Sequence, residues 1–579
     1  MPVCFNCSKM KKIAAIIFFA LSTLLAVSCK SATEDLPKIR VMSFNILQSK
    51  GEPEGHQWKD RKDGALAMFK DIAPDVACFQ EARRTQCDDL AEAFPEYTQL
   101  RCAKDGVLKE GMEESLTEDH YKNGGQRNLI MFKTERFDLL DCGRYWFSET
   151  PDSSSLGWDG PTPKVTLWAK LMDKVANKEI FVFCTHFFPH GVECREQCVR
   201  MTVDKIGEIA GYEGIVFFCG DLNMDAEDPR LLPLDKYITR TSFSSPKIDR
   251  SPTFNGFNDD PSTWTRIDHI YYCHMAALEF KVVNDMEKYG VKFISDHFPV
   301  YADFEYFRPR KEQNYYNPSF ESECVAKLDE WTPKDTVIKG STQGFAIHGN
   351  DCVVIRDKGE CDIFDMEKKE MIGHFKQPGD TSHNNNANFG TERYSDTSRY
   401  PLFYTSECRG LKRCFVKDLS LDDAPIVQMF DYYEDVYNGP MDWDLDRDNG
   451  FIYTYGGERF GRRWVRKFRL PKFSDSDSEG YVHLTKADVL DSLTIDDIGI
   501  AQGGIARGKY FYITSGAPPR KCYIMVVDLE THETIIKHDI SYIGLEPEGV
   551  DLVGDYLYVV FHKSRRPRKS EIWRFNIKG

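Results

Sequence analysis

A chain of 579 residues, 41% hydrophobic and 29% charged, is too long for one ordinary core and predicts two domains of roughly 270 residues each. Its formal net charge is −16, with acidic residues in excess in both halves, so neither half offers the basic surface of a nonspecific duplex binder. Nucleic acid stays open as a partner only through a local basic groove or bound cations, and is not favoured.

In chain order, "MKKIAAIIFFALSTLLAVSC" (10–29) comes first, with a lysine pair, an apolar stretch and small residues before Cys29. This layout is that of an export signal and is too short for the ~20 apolar residues that span a bilayer. Its ending resembles a lipoprotein signal in which Cys29 is the lipidated residue. Residues 1–29 are therefore read as signal and 30–37 as a tether. The chain is expected to be exported from a bacterial cytoplasm and lipid-anchored to a membrane, in the periplasm or on the cell surface. Such a compartment permits disulfides, and there are 18 cysteines. Most sit singly in apolar runs, as Cys78, Cys184 and Cys219 do, where a buried thiol is expected. Cys194 and Cys198, four apart on a predicted helix, could pair or bind metal.

Between 38 and 310, apolar strands alternate with turns and a few helices. "IRVMSFNIL" (39–47) reads as a strand, "ALAMFKDIAPDVACFQEA" (65–82) as a helix, a proline break and a strand, and "NLIMFKTERFDLLDCGRYWFS" (128–148) as a hairpin. A second hairpin follows at 165–188 with its turn near Asn177, then a helix near 193–210 and strands at 214–220, 265–273 and 294–306. Apolar runs lead into Asn45, Glu81, His186, Asp221 with Asn223, and Asp296 with His297, while Asp268 lies inside a sixth. Buried polar groups are costly unless paired or bound. Their recurrence at one relative place predicts a shared site at a sheet edge.

"MSFNIL", "FQEA", "THF", "GDLNMD", "RIDHIYY" and "SDHFPV", in that order, resemble the motif series of the endonuclease/exonuclease/phosphatase superfamily over about residues 38–306. The resemblance implies an α+β four-layer sandwich, with two central, largely antiparallel sheets flanked by helices. It also implies a metal-dependent phosphoric ester hydrolase. On this resemblance Asp221 orients or deprotonates the attacking water, and Asn223 donates to the phosphate. His297 contacts the scissile phosphate, its tautomer held by Asp268, and His186 acts as acid or phosphate ligand. Glu81 is the principal metal ligand, with Asn45 beside it and Asp296 in support. Hard oxygen donors favour Mg²⁺, with Mn²⁺ or Ca²⁺ as substitutes. Gln126 stands where many relatives carry a Glu that partners the catalytic histidine, and an amide cannot stabilise an imidazolium by charge. Arg127 and Asn128 adjoin it and are candidate substrate contacts, as is Arg195 nine residues after His186. Asp225 lies past the motif and reads as a turn residue. Segments 103–124 and 149–163 read as rim loops.

From Lys311 the pattern changes to recurring strand units at 344–375, 400–420, 449–471, 503–535 and 547–577. This predicts an all-β domain over 311–579, a β-propeller or alternatively a β-sandwich, with a sixth unit hidden in 472–500 or assembled from both ends. "NGPMDWDLDRDNG" (438–450) reads as an acidic loop or a Ca²⁺ ligand set, and "KSRRPRK" (563–569) as a solvated basic loop or an anion contact. The leading functional expectation is an exported phosphoesterase acting on a small organic, lipid or sugar phosphate. The alternatives are an extracellular nuclease and a surface protein whose C-terminal half binds glycan or protein with weak or no catalysis.

Overall fold

The computed structural model describes residues 36–122, 125–308, 318–336, 340–376, 383–421, 424–434, 437, 439–457, 460–563 and 569–578. The expected signal with Cys29, most of the expected tether, the expected boundary at 310/311 and the centre of the basic cluster lie outside these. Among the described residues no helix is long and apolar enough to cross a membrane.

The first half contains two sheets. Its strands are β1 (Lys38–Asn45), β2 (Val76–Ala82), β3 (Tyr97–Ala103), β4 (Arg127–Lys133), β5 (Phe137–Trp146), β6 (Val165–Asp173), β7 (Lys178–His186), β8 (Ile215–Asp221), β9 (Thr239–Arg240), β10 (Lys247–Ile248), β11 (Asp268–Cys273), β12 (Ala276–Val282) and β13 (Val300–Glu305). One sheet runs β10-β12-β13-β1-β2-β4-β3 and the other β5-β6-β7-β8-β11-β9. Most neighbours are antiparallel, the exceptions being β1 with β2, β7 with β8 and β10 with β12.

Strand alternation explains why both faces of each sheet are apolar. On β8, Phe217 packs on Phe304 of β13 with ring centroids 4.9 Å apart, joining the two sheets. Its neighbours Val216 and Phe218 turn the other way, into a cluster with Cys198, Val199 and Ile206 of helix α3 (Glu193–Ala210). On β2, Phe79 meets Phe69 of helix α1 (Trp58–Ile72) at 5.7 Å, whereas Gln80 reaches Cys184 of the opposite sheet. Helix α2 (Arg84–Ala93) buries Cys87 and Leu90.

One expectation is corrected here and one alternative is decided. Segment 128–148 is no hairpin: β4 pairs with β2 and β3, β5 pairs with β6, and the chain changes sheets between Lys133 and Phe137. Cys194 and Cys198 are free buried thiols, the former donating to the His190 carbonyl.

Among the described residues the C-terminal half is built on β-strands in five sheets, with one short α-helix at Leu328–Trp331. Their first strands are Thr342–His348, Asn384–Phe389, Met441–Asp446, Ala501–Arg507 and Glu546–Val553. Each contacts the next in that order and the last contacts the first. The fifth sheet is completed by Ser322–Lys327 pairing with Lys569–Asn576, so strands from both ends of this half meet. No sixth sheet lies in 472–500: Tyr481–His483 joins the second sheet and Asp491–Ile495 the third. The acids of 442–446 lie on a buried inner strand, not on a loop.

The halves meet through charged and aromatic contacts. Arg520 donates to the carbonyls of Tyr212 and Tyr237, each at 2.7 Å, with its guanidinium 4.1 Å from the Phe460 ring centre. Arg462 bridges Glu305 at 2.8 Å and Asp496 at 2.7 Å, and His274 meets Asp497 at 3.2 Å.

Candidate active site

Strand ends deliver the polar residues to one edge of the two sheets. Pairing sets His186 opposite Asp221, and Asp221 opposite Asp268, while Asn45 sits opposite Gln80, the neighbour of Glu81. Gly220 makes this register attainable: a Cβ there would lie 2.1 Å from the Thr185 carbonyl oxygen. Glu81 has φ of 65°, a left-handed conformation that costs a non-glycine residue ~1–3 kcal/mol and is typical of functional sites.

Asp221 is the hub. Its Oδ2 accepts from Asn45 Nδ2 at 3.0 Å and lies 3.4 Å from His186 Nε2 and 3.7 Å from His297 Nε2, while its Oδ1 accepts from the Asn223 backbone N–H at 2.9 Å. His297 Nδ1 is 2.8 Å from Asp268 Oδ2, and Asp268 Oδ1 is buried without a hydrogen-bond partner. Asn45 Nδ2 also approaches Glu81 Oε1 at 3.5 Å, and its Oδ1 accepts from the Leu47 N–H. The Ser295 hydroxyl donates to the Asn45 carbonyl at 2.8 Å and lies 3.1 Å from Asp296 Oδ1.

The electrostatics follow from burial and neighbours. Burial alone would lower the pKa of His297, but Asp268 and Asp221 lift it to about 10, so a protonated imidazole is held between two carboxylates. Burial, with Asp268 nearby, pushes Asp221 up to about 7 against the pull of His297. His186 is driven well below its usual range by burial, with Lys164, His297 and Lys104 adding to the effect. A neutral His186 and a basic Asp221 side by side can take and pass on a proton.

The residues present fit a divalent cation. Asp296 is raised by burial and by Glu81, so two carboxylates repel each other at an edge rich in hard oxygen donors. The compact acid and imidazole group is a different one: Asp221, Asp268 and His297 place a ligand atom each within 4.8 Å of one another.

Some expected contacts are elsewhere. Gln126 donates to Glu81 Oε2 at 2.9 Å and accepts from Lys104 at 2.6 Å, so it braces the carboxylate and does not touch His186. Arg127 is buried on Asp119 and the Gly125 and Lys122 carbonyls, and Asn128 donates to the Val165 and Cys184 carbonyls; both hold backbone and do not face the site. Arg195 donates to the Gly191 carbonyl within its own helix start. Asn223 reaches the Phe187 carbonyl, and Asp225 accepts backbone N–H groups of Glu227 and Arg266 as a turn residue. Two cations went unread in the sequence. Lys164 is buried and pulled down to about 8 by desolvation against the attraction of Asp221 and Glu81, and Lys104 is lowered in the same way. Neither has a sequence signal that separates it from a surface lysine.

Residues 42–297 match the Endonuclease/Exonuclease/phosphatase family. A curated relative of this domain is the uncharacterised protein L388 of Acanthamoeba polyphaga mimivirus, 24% identical over 270 residues that make up 43% of this chain and 93% of the relative. Similar solved structures include an endonuclease/exonuclease/phosphatase from Bacteroides vulgatus (24% identity, TM-score 0.42, 47% of this chain and 100% of that one). Others are a Bacteroides thetaiotaomicron mannosyl-6-phosphatase (24%, 0.41, 46% and 100%) and the human Nocturnin catalytic domain with a bound sulfate anion (19%, 0.35, 47% and 94%).

Proposed function

We propose that this domain is a Mg²⁺-dependent phosphoesterase of a small organic, lipid or sugar phosphate. In the same reading the chain is exported and lipid-anchored at Cys29, its first half is a four-layer sandwich and its second a five-bladed β-propeller. The observation that carries the chemistry is the meeting of Asp221, His186, the His297–Asp268 pair and the Glu81–Asp296 carboxylates at one edge. The family match over residues 42–297 supports the same reaction class. The cyclic contact of five inner strands supports the propeller reading.

Phosphate ester hydrolysis needs a nucleophile, charge neutralisation and help for the leaving oxygen. Asp221 takes a proton from the attacking water, aided by a pKa lifted toward neutrality. His297, kept protonated by Asp268, donates to a nonbridging oxygen, and Lys164 adds positive charge to the same space. Glu81, Asn45 and Asp296 would hold Mg²⁺, which would supply Lewis-acid stabilisation of the phosphate.

The test is phosphate or alcohol release from aryl monoesters, bis-aryl diesters, sugar phosphates, lipid head-group esters and DNA. Turnover is expected to require Mg²⁺ and to be lost in His297→Ala. Full activity in excess chelator, or in the variant, would overturn the assignment. Cleavage confined to DNA would transfer it to a nuclease.

A further inference from the structure

The inner strands of the five C-terminal sheets share a feature away from the catalytic edge. Gln343, Asn385, Asp442, Gln502 and Glu548, one per strand, are all buried near the same end of their strands. In four of the five sheets the pairing register slips at this level, between Thr342 and Gly344, Asn384 and Ala387, Ala501 and Gly504, and Pro547 and Val550. Such bulges re-aim side chains. The strands also converge tightly: a Cβ on Gly549 would lie 2.6 Å from Gly344 Cα, and one on Gly503 2.8 Å from Gly549 Cα. Polar side chains are therefore gathered where five strands come together.

Negative charge collects there. Glu546, Glu548 and His562 each place a ligand atom within 4.8 Å of the others. Gln502 donates to Glu546 Oε1 at 3.1 Å, orienting that carboxylate. Asp442, 3% exposed, accepts at Oδ2 from Asn385 Nδ2 at 2.7 Å, while its Oδ1 is buried without a partner. His562 Nε2 lies 3.9 Å from Glu548 Oε1, and both side chains are buried. Glu546 is half-buried, which leaves the cluster an opening to solvent.

We propose that Glu546, Glu548 and His562, on two paired strands of the fifth C-terminal sheet, form a second metal site that binds a divalent transition cation of the zinc type. Two carboxylates and one imidazole form the mixed oxygen and nitrogen set that suits such ions better than calcium or magnesium. The ion offsets the repulsion of the Glu546 and Glu548 carboxylates and ties the strand Glu546–Val553 to its neighbour Tyr556–Lys563, so it serves structure and not the phosphoester chemistry.

The experiment uses the full chain with Zn²⁺ as probe. Zinc content after dialysis is compared between the wild type and the double variant Glu548→Gln, His562→Gln. The wild type is expected to retain one more equivalent than the variant, whatever the catalytic edge holds, and to gain ~2–4 °C in melting temperature on zinc addition where the variant gains less. Equal retention and equal shifts would overturn the proposal. A measurement free of the variant's folding is zinc-edge anomalous scattering from wild-type crystals: a peak among the three side chains supports the site, and its absence at saturating zinc refutes it.

Discussion

Replacing Arg520 with alanine removes the most connected side chain at the junction of the two halves. Its guanidinium makes two hydrogen bonds of 2.7 Å to backbone carbonyls and lies over the rings of Tyr212, Tyr237 and Phe460. A hydrogen bond from a charged donor is worth ~1.5 kcal/mol or more. A desolvated cation–π contact adds ~1 kcal/mol. Arg520→Ala is therefore expected to cost about 4 kcal/mol. Arg520→Lys keeps the charge but cannot span both carbonyls, and should cost about half as much. Urea denaturation followed by tryptophan fluorescence measures both. The first half should also begin to unfold separately from the second, splitting one transition into two. A loss below about 1 kcal/mol with a single unchanged transition would refute the view that this arginine couples the halves.

Three further outcomes follow from the geometry. Asp268→Asn removes the carboxylate 2.8 Å from His297 Nδ1, so kcat/KM should fall ~10²–10⁴-fold. Because that carboxylate helps raise His297 to about 10, the alkaline limb of the pH–rate profile should also move to lower pH. Although burial opposes it, His274 and Lys537 hold Asp497 down to about 2. A depressed carboxylate stabilises the fold above its unfolded pKa of ~3.9 and loses that contribution as pH falls toward 2. With Asp497 43% exposed, screening reduces the effect, so Asp497→Asn should cost ~1 kcal/mol at pH 7 and nothing near pH 2, as acid titration of the denaturation midpoint would show. Gly220→Ala forces a Cβ against the Thr185 carbonyl and should cost ~1–3 kcal/mol while displacing Asp221, read as joint loss of stability and turnover.

The gathering of polar residues in the first half was legible because strand ends carry them in sequence order. Apolar runs that stop at Asn45, Glu81, His186 and Asp221 place those residues by chain geometry alone, and the structure brings them to one edge. What sequence could not resolve was the partner of each side chain. Gln126, Arg127 and Asn128 are consecutive on or beside β4, so alternation sends them to different neighbours, and only Gln126 reaches the site. The break between β4 and β5 was hidden because a short polar turn joins strands of one sheet or of two with the same residues. In the C-terminal half the acids of 442–446 looked like a loop because alternating Asp is usually solvated. Here the strand is walled in on both sides, and Asn385 and Asn386 from the next inner strand accommodate Asp442 and Asp444.

The position of the junction constrains what the C-terminal half can do. Asp221 closes β8 at the catalytic edge, whereas Tyr212, which receives Arg520, lies just before the strand begins at Ile215. His274 likewise follows β11, whose first residue is Asp268, and Glu305 ends β13 beside Lys38, the start of the strand that delivers Asn45. At ~3.3 Å per residue, seven residues of β8 separate the two edges by ~20 Å. No side chain docked at that junction spans such a gap to the Asp221 edge. Contacts at this junction would therefore act on turnover through the stability and alignment of the sheets. Substitutions at Arg520 should lower the fraction of folded enzyme while leaving KM unchanged, and a raised KM in the folded protein would show that the second half reaches the substrate by another route.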